Sequence, residues 1–322
     1  MDHTLAGVAG ELVAGHVELI RIPTANPVNF HQAITAPDAC VRLELDAVLT
    51  LPDGPGPHPV VIVLPGSAGV SANHVMHTQT LSSEGYGVCL VDPFGARAVS
   101  STVANQTQYS FAASAFDVLA TLQVLAADSR VDESRVVAQG HSRGGAAVIM
   151  AAMRPFADAV VGDLALASVF AAYPWCGQQF ARPDVAGPVV RAIIGDQDEW
   201  CSVMAVQAQI QAIAVAGGAA TMRVVAGAHH SFDRYEDVHD LPEARVSPNA
   251  PIEFLADDGS MIDPTTGVPD PARTDLDQCR AAMAAGFGQR GARLGSTAGQ
   301  PELFRDEMLA FHRMALGGAT AR

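Results

Sequence analysis

Residues 136–153 read VVAQGHSRGGAAVIMAAM and place one serine among glycines between two differently patterned segments. The apolar run before Gly140 is typical of a buried strand, and the Ala-rich run after Gly145 is typical of a helix. Ser142 therefore stands at a turn from a strand into a helix. Its hydroxyl either caps the new helix or is held above a sheet as a nucleophile. The rest of the sequence has to choose between these interpretations.

Strands and helices alternate on both sides of this turn. The predicted strands are 41–51, 59–64, 87–92, 136–139, 164–172, 189–195 and 221–226. The predicted helices are 71–84, 110–127, the segment after Ser142, 203–216 and 301–316. This alternation predicts an α/β fold, with a mostly parallel sheet and helices on both of its faces.

The 322 residues are expected to form a single domain, because no Pro/Gly/Ser-rich linker separates two differently patterned halves. We interpret residues 1–41 as an N-terminal extension. Residues 233–300, which precede the last helix, are interpreted as a long insertion that is polar and rich in Pro, Asp and Gly. Within it we predict a hairpin at 256–260 and a helical patch at 274–286.

Composition excludes several classes of partner and location. The net charge of −15 argues against binding to nucleic acid or to an anionic membrane. We see no secretory signal at the N-terminus and no apolar run approaching about 18 residues. The five cysteines are odd in number and lack CxxC spacing, which fits reduced thiols in the cytoplasm. Whether Cys176 and Cys201 are neighbours stays open at this point.

A nucleophilic serine needs a base, and the base needs an acid that orients it. In α/β-hydrolases the chain order is serine, acid, histidine. His229 and His230 directly follow the predicted strand 221–226, which is where such a base belongs. The residues alone do not choose between these two histidines.

The acid should follow the preceding predicted strand, 189–195. Three carboxylates do so, Asp196, Asp198 and Glu199, and spacing does not choose among them. An oxyanion would be stabilised by the N–H of Arg143, next to the nucleophile, and by an N–H from the loop PGSAG (65–69).

A metal site is not expected. His74 and His77 share a helix face at i, i+3, and His229 and His230 are adjacent, but no carboxylate or cysteine spacing completes a ligand set. The predicted serine chemistry also needs no cofactor.

Four motifs, LPGSAG (64–69), GHSRGG (140–145), GDQDEW (195–200) and GAHHSF (227–232), resemble the dienelactone-hydrolase-like group of α/β-hydrolases. The resemblance covers roughly residues 42–232 and the final helix. It implies Asp198 as the acid, through the group's Gly-x-x-Asp pattern. It also implies His230 as the base and Ser67 as the second oxyanion donor.

True dienelactone hydrolases use a cysteine nucleophile, whereas this chain has Ser142. The resemblance therefore implies a serine carboxylesterase that cleaves small to medium ester molecules through an acyl-enzyme. A peptidase or amidase on the same fold, or a catalytically silent binding protein, are the alternatives. The Arg143 side chain either attracts a carboxylate of the substrate or packs outward on its helix, and we expect the second. The hairpin of the insertion is expected to pack over or beside the active site and to control which esters fit.

Overall fold

The computed structural model describes residues 5–12, 15–185 and 187–317. The strands, in chain order, are β1 (His16–Asn26), β2 (Val41–Leu51), β3 (His58–Leu64), β4 (Gly87–Asp92), β5 (Val131–His141), β6 (Ser168–Ala172), β7 (Gln178–Phe180), β8 (Val189–Gly195), β9 (Ala220–Val225), β10 (His239–Val246), β11 (Glu253–Leu255), β12 (Met261–Ile262), β13 (Pro269–Asp270) and β14 (Gln289–Leu294). The helices are α1 (Leu5–Glu11), α2 (Phe30–Thr35), α3 (Ala72–Ser83), α4 (Phe111–Ala126), α5 (Arg143–Ala151), α6 (Arg154–Val161), α7 (Val203–Val215), α8 (Asp275–Ala284) and α9 (Gln300–Leu316).

Eight strands form the central sheet in the order β1-β2-β4-β3-β5-β6-β8-β9. The first three pair antiparallel, and every later pairing, from β4 and β3 to β8 and β9, is parallel. The middle strands are buried on both faces, which is why residues 59–64 read as one continuous apolar run. The predicted α/β fold with a mostly parallel sheet flanked by helices is confirmed.

Strand β1 lies inside the segment that the sequence suggested was only an extension. It pairs along its whole length with β2, from His16 opposite Leu51 to Asn26 opposite Val41. It is an edge strand and contains Pro23, which the edge of a sheet tolerates because one row of its backbone groups has no partner strand. The proline and the mixed polar pattern hide this strand from a reading of the sequence.

The carboxyl ends of parallel strands meet at one edge of a sheet. Strands β3, β5, β8 and β9 are parallel to one another, so the loops that follow them are neighbours in space. These four loops carry the motifs singled out in the sequence.

Two helices of the core are largely buried, but neither has the length of a membrane span. All residues of α5 are buried, as are most residues of α4. In the part of the chain that the structure describes, no single helix is both long and apolar enough to cross a membrane. Helices α5 and α6 reach that length and composition only as a pair, and the pair is bent by 77°.

The insertion at 233–300 is built of small elements. Strands β10 and β14 pair antiparallel, while β11 adds in parallel to β7 and is followed by β12 and β13. The predicted hairpin at 256–260 is confirmed, closed by a hydrogen bond of 2.9 Å from the N–H of Ala256 to the carbonyl of Ser260. The predicted helical patch is α8.

Candidate active site

Ser142 occupies a strained turn between β5 and α5. Its backbone has φ 55° and ψ −112°, a conformation that costs a non-glycine residue about 1–3 kcal/mol. A Cβ at Gly140 would lie 2.0 Å from the carbonyl oxygen of Gly144, and one at Gly144 would lie 2.4 Å from that of Leu64. The glycines are therefore required by the backbone. The Ser142 side chain makes no capping hydrogen bond to α5, so the helix-cap interpretation is wrong.

The hydroxyl of Ser142 instead faces a histidine. Its Oγ lies 3.0 Å from Nε2 of His230, and Nδ1 of His230 lies 2.8 Å from Oδ2 of Asp198. The other carboxylate oxygen of Asp198 accepts the backbone N–H groups of Trp200 (2.8 Å) and Cys201 (2.9 Å). A carboxylate facing Nδ1 favours the tautomer with its proton there, which leaves Nε2 free to accept the serine proton.

The other candidates from the same loops make different contacts. Asp196 accepts the N–H of Gly227 at 2.7 Å and so ties the loop after β8 to the loop after β9. Glu199 forms an ion pair with Arg293. No hydrogen bond among the described residues joins His229 to Ser142 or to these carboxylates. The structure thus brings Ser142, Asp198 and His230 into one hydrogen-bonded line.

The two expected oxyanion donors lie beside the serine. Gly66 approaches so closely that a Cβ there would be 3.1 Å from the Cβ of Ser142, which places the neighbouring Ser67 beside Ser142. The carbonyl of Ser67 accepts the N–H of Thr102 at 2.8 Å, and its hydroxyl bonds to Gln106 at 2.9 Å. Among the described residues no hydrogen bond uses the N–H of Ser67 or of Arg143, the latter being the first residue of α5. Both N–H groups are free to bind an oxyanion.

The Arg143 side chain does not pack outward on its helix, contrary to expectation. It is 2% exposed and donates to the carbonyls of Gln106 (2.9 Å) and Tyr109 (2.6 Å) and to Oγ of Ser114 (3.0 Å). Its guanidinium also lies 4.1 Å from the ring centroid of Phe111. Because α5 is buried on every side, it has no outward face, and the arginine instead fixes the loop before α4.

Two cavities meet at Ser142, and Ser67 and Trp200 border both of them. The larger has a volume of about 250 Å³ and the smaller about 40 Å³. Segments 245–251 and 275–289 of the insertion contribute to the wall of the larger cavity. The hairpin itself lies elsewhere: it pairs with β7, and its Asp258 lies against His31 near α2. The expectation that the hairpin borders the pocket is wrong: β11 pairs alongside β7, the hairpin turn lies against His31, and none of residues 256–260 borders either cavity.

Two cysteines also border the larger cavity. Cys176 and Cys201 are buried and their thiols are free. Burial raises the pKa of both thiols, well above the ordinary value for Cys201, where the nearby Asp198 acts in the same direction. Both remain thiols near neutral pH and are poor nucleophiles.

A buried polar network beneath the site was not anticipated from the sequence. Asp233, fully buried, accepts hydrogen bonds from Asn73 (2.8 Å) and Tyr173 (2.7 Å) and lies 2.7 Å from Nε2 of His77. Burial alone would raise the pKa of Asp233, but hydrogen bonds from His141 and His77 hold it well below the usual value. Asp233 is therefore a carboxylate that anchors the loop carrying His230. The i, i+3 pair of His74 and His77 was the available signal, and its carboxylate comes from a residue 156 positions away.

The network continues through the core to the last helix. Nδ1 of His141 lies 3.0 Å from the Tyr173 hydroxyl, and its Nε2 lies 3.0 Å from the amide nitrogen of Gln139. The amide oxygen of Gln139 lies 2.9 Å from Nε2 of His312 in α9. Helix α9 is thereby tied to β5, the strand that precedes Ser142.

Two groups of described residues bring potential metal-ligating atoms together. One is Asp198, Cys201 and His230, which is the candidate catalytic line itself. The other is His77, His141 and Asp233. In the second group the His77–Asp233 separation is 2.7 Å, shorter than the roughly 3.3 Å between two ligands of a tetrahedral zinc ion. The pair fits a direct hydrogen bond better than it fits a bridging ion.

His312 is expected to make the fold sensitive to acid. Burial lowers its pKa to about 3, from an unfolded value of 6.5. Between these values only the unfolded chain binds the proton, so stability falls as pH falls from 6.5. From pH 7 to 5 this single group should remove about 2 kcal/mol from the free energy of unfolding.

The variant His312→Gln keeps an amide donor for Gln139 and removes the titrating ring. Urea unfolding at pH 7 and pH 5 should show a smaller drop for the variant than for the wild type, by about 2 kcal/mol. Equal drops in the two proteins would contradict the assignment of acid sensitivity to His312.

A protein-family model matches most of the chain, and solved structures resemble it more distantly. The model of the dienelactone hydrolase family matches residues 45–250. Among solved structures, a dienelactone hydrolase-like promiscuous phosphotriesterase from metagenomic libraries is 18% identical, with a TM-score of 0.48, and the match covers 84% of this chain and 96% of that one. An esterase from the archaeon Pyrobaculum calidifontis is 14% identical, with a TM-score of 0.49 and coverage of 71% and 79%. No curated protein matches the sequence significantly.

The family match contains the turn at Ser142, the loop with Asp198 and the loop with His230. It spans well over half of the chain. The protein is an α/β-hydrolase that belongs to the dienelactone hydrolase family.

Proposed function

We propose that this protein hydrolyses carboxylic esters through an acyl-enzyme formed on Ser142. The observation that carries the proposal is the line of hydrogen bonds from Asp198 through His230 to Ser142, at 2.8 and 3.0 Å, beside two free backbone N–H groups. Nucleophile, base, orienting acid and oxyanion donors are the parts that acyl transfer requires.

In the first step, Oγ of Ser142 attacks the ester carbonyl carbon while Nε2 of His230 takes the hydroxyl proton. The carbonyl π electrons move to the oxygen, which the N–H groups of Ser67 and Arg143 stabilise, each contributing about 3 kcal/mol. Asp198 stabilises the imidazolium that forms. When the tetrahedral intermediate collapses, the bond to the alkoxy oxygen breaks and His230 returns its proton to the leaving alcohol.

In the second step, a water molecule attacks the acyl carbon and His230 takes its proton. Collapse of the second intermediate breaks the bond to Oγ of Ser142, which regains the proton from His230. The carboxylic acid leaves and the enzyme returns to its starting state. Trp200 stacks on the His230 ring, with centroids 5.1 Å apart and an angle of 15°, and limits the movement of the base between the steps.

The proposal is tested by labelling and turnover together. A fluorophosphonate should react with one site, and peptide mass spectrometry should place it on Ser142, while p-nitrophenyl butyrate is hydrolysed with a burst of p-nitrophenol. A folded protein that is neither labelled nor active on any ester would instead be a silent binding protein. Turnover of anilides at rates equal to those of the matching esters would favour an amidase.

The two adjacent histidines offer a matched pair of variants. His230→Ala should lower turnover of p-nitrophenyl butyrate by about 10⁴-fold or more, because it removes the base that activates the serine. His229→Ala, one position away, should keep turnover within about tenfold, because the described contacts of His229 do not include the serine or Asp198. Equal losses would leave the base unassigned and argue against the His230 role.

A further inference from the structure

The two cavities at Ser142 differ in size and in their relation to the base. Resting on the proposed ester hydrolysis, we propose that the enzyme selects esters of bulky, largely apolar acids, aromatic acids included, with small alcohols. The larger cavity is assigned to the acyl group and the smaller to the leaving alcohol.

The position of His230 shows which of the two cavities receives the leaving alcohol. His230 must return a proton to the leaving oxygen, so that oxygen has to lie within hydrogen-bonding distance of Nε2. Among the described residues, His230 and Ser231 border the smaller cavity and do not border the larger one. With the carbonyl oxygen held by Ser67 and Arg143, the acyl chain is directed into the remaining space, which is the larger cavity.

The volumes set the size of each group. One water-sized atom needs about 10–15 Å³ of such a cavity. The smaller cavity, at about 40 Å³, therefore holds about three non-hydrogen atoms, enough for a methoxy or ethoxy group. The leaving group of p-nitrophenyl butyrate is larger, but p-nitrophenolate is a stabilised anion that leaves without a proton from His230, so it does not have to occupy this cavity. The larger, at about 250 Å³, holds an acyl group several times that size.

The wall of the acyl side favours a flat apolar group. Phe111 and Trp175 both border it and stack on each other, with centroids 4.0 Å apart and an angle of 17°. Gly177 makes room for this arrangement, because a Cβ there would lie 2.4 Å from the Trp175 ring. Asp275, the buried acid in the wall, already accepts the N–H of Phe111 (2.6 Å) and the amide of Gln178 (2.8 Å). It is occupied as an acceptor, so the stacked rings of Phe111 and Trp175 are what this part of the wall offers to a substrate.

The insertion closes the alcohol side. Leu241 of β10 and Leu294 of β14 border the smaller cavity. Leu294 forms a β-bridge with His230, and the N–H of Gly295 donates to the His230 carbonyl at 2.9 Å. The paired strands are thereby fixed to the loop that carries the base. The attachment of these strands to the His230 loop keeps the smaller cavity small.

A pair of isomeric esters tests the assignment. Methyl 3-phenylpropanoate and 2-phenylethyl acetate have the same atoms, with the phenyl group on opposite sides of the ester. The first should have a kcat/KM at least about tenfold higher, since misplacing a group of this size costs at least as much as one methylene. Methyl acetate serves as the small reference substrate.

Substitutions in the wall of each cavity test the roles of the two cavities separately. Ala282→Trp fills the larger cavity and should lower kcat/KM for methyl 3-phenylpropanoate about tenfold while changing that for methyl acetate about twofold or less. Ala281→Trp, one position along α8 and exposed outside the cavity wall, is the matched control and should change neither. Leu241→Ala should raise kcat/KM for 2-phenylethyl acetate by about fivefold or more, with circular dichroism confirming the fold of each variant.

Equal kcat/KM values for the two isomers, or a preference for 2-phenylethyl acetate, would overturn the assignment while leaving ester hydrolysis intact. Failure to hydrolyse any of the three esters, with no labelling of Ser142, would instead overturn the proposed function. The two failures are therefore distinguishable in one set of measurements.

Discussion

Replacing Ser142 by alanine is expected to lower the turnover of p-nitrophenyl butyrate by about 10⁶-fold, the loss seen when a serine nucleophile of this kind is removed. The substitution removes only the hydroxyl group of the side chain. Its contact is the 3.0 Å approach to His230, and it caps no helix, so the fold does not depend on it. Stopped assays with concentrated enzyme are needed to measure so small a residual rate.

A second serine provides the control. Ser168 is buried on β6 and its hydroxyl has no hydrogen-bond partner among the described residues. Ser168→Ala should therefore leave both turnover and thermal stability close to those of the wild type. If Ser142→Ala kept more than a few per cent of the wild-type rate, with the fold of both variants intact, the nucleophile would have to lie elsewhere.

The second large loss of turnover is expected when Asp198 is replaced. Asp198→Asn should lower turnover by about 10⁴-fold, because an amide facing Nδ1 favours the wrong imidazole tautomer and does not stabilise the imidazolium. The backbone donors Trp200 and Cys201 can still bond to the amide oxygen, so the loop should keep its shape. The measurement is kcat for p-nitrophenyl butyrate across pH 6 to 9.

Asp196→Asn is the matched change two residues away. Its carboxylate oxygen accepts the N–H of Gly227, and an asparagine oxygen can do the same, so turnover should fall by about tenfold at most. A larger loss at Asp196 than at Asp198 would mean that the hydrogen bond between Asp198 and His230 is not the catalytic one.

The order of the elements could be predicted because the relevant signals are local. Strands buried on both faces carry continuous apolar runs, and residues 87–92 and 189–195 were predicted at their observed bounds. The glycines around Ser142 signal a turn that no larger residue can adopt, and the structure shows the backbone clashes behind that rule. Strand β1 was not predicted from the sequence. An edge strand needs no continuous apolar run and tolerates proline, so β1 lacks the signals by which the buried strands were recognised.

The sequence alone also placed Ser142, two histidines and three carboxylates at the ends of predicted parallel strands, because parallel strands deliver their loops to one edge. It could not choose Asp198 over Asp196 from spacing, since both lie in one tight turn and differ only in direction; the resemblance to a family favoured Asp198. Tertiary structure gave that direction, with Asp198 toward His230 and Asp196 toward Gly227.

Only the tertiary structure decided the features that depend on contacts between distant segments. The burial of Arg143 follows from the packing of α5 beneath the loop before α4. The carboxylate of Asp233 meets His77 across 156 positions, and the insertion contributes to the walls of both cavities through segments other than the hairpin that was predicted to do so. Periodicity and turn signals report a residue's own neighbourhood, whereas these contacts are set by how the whole chain packs.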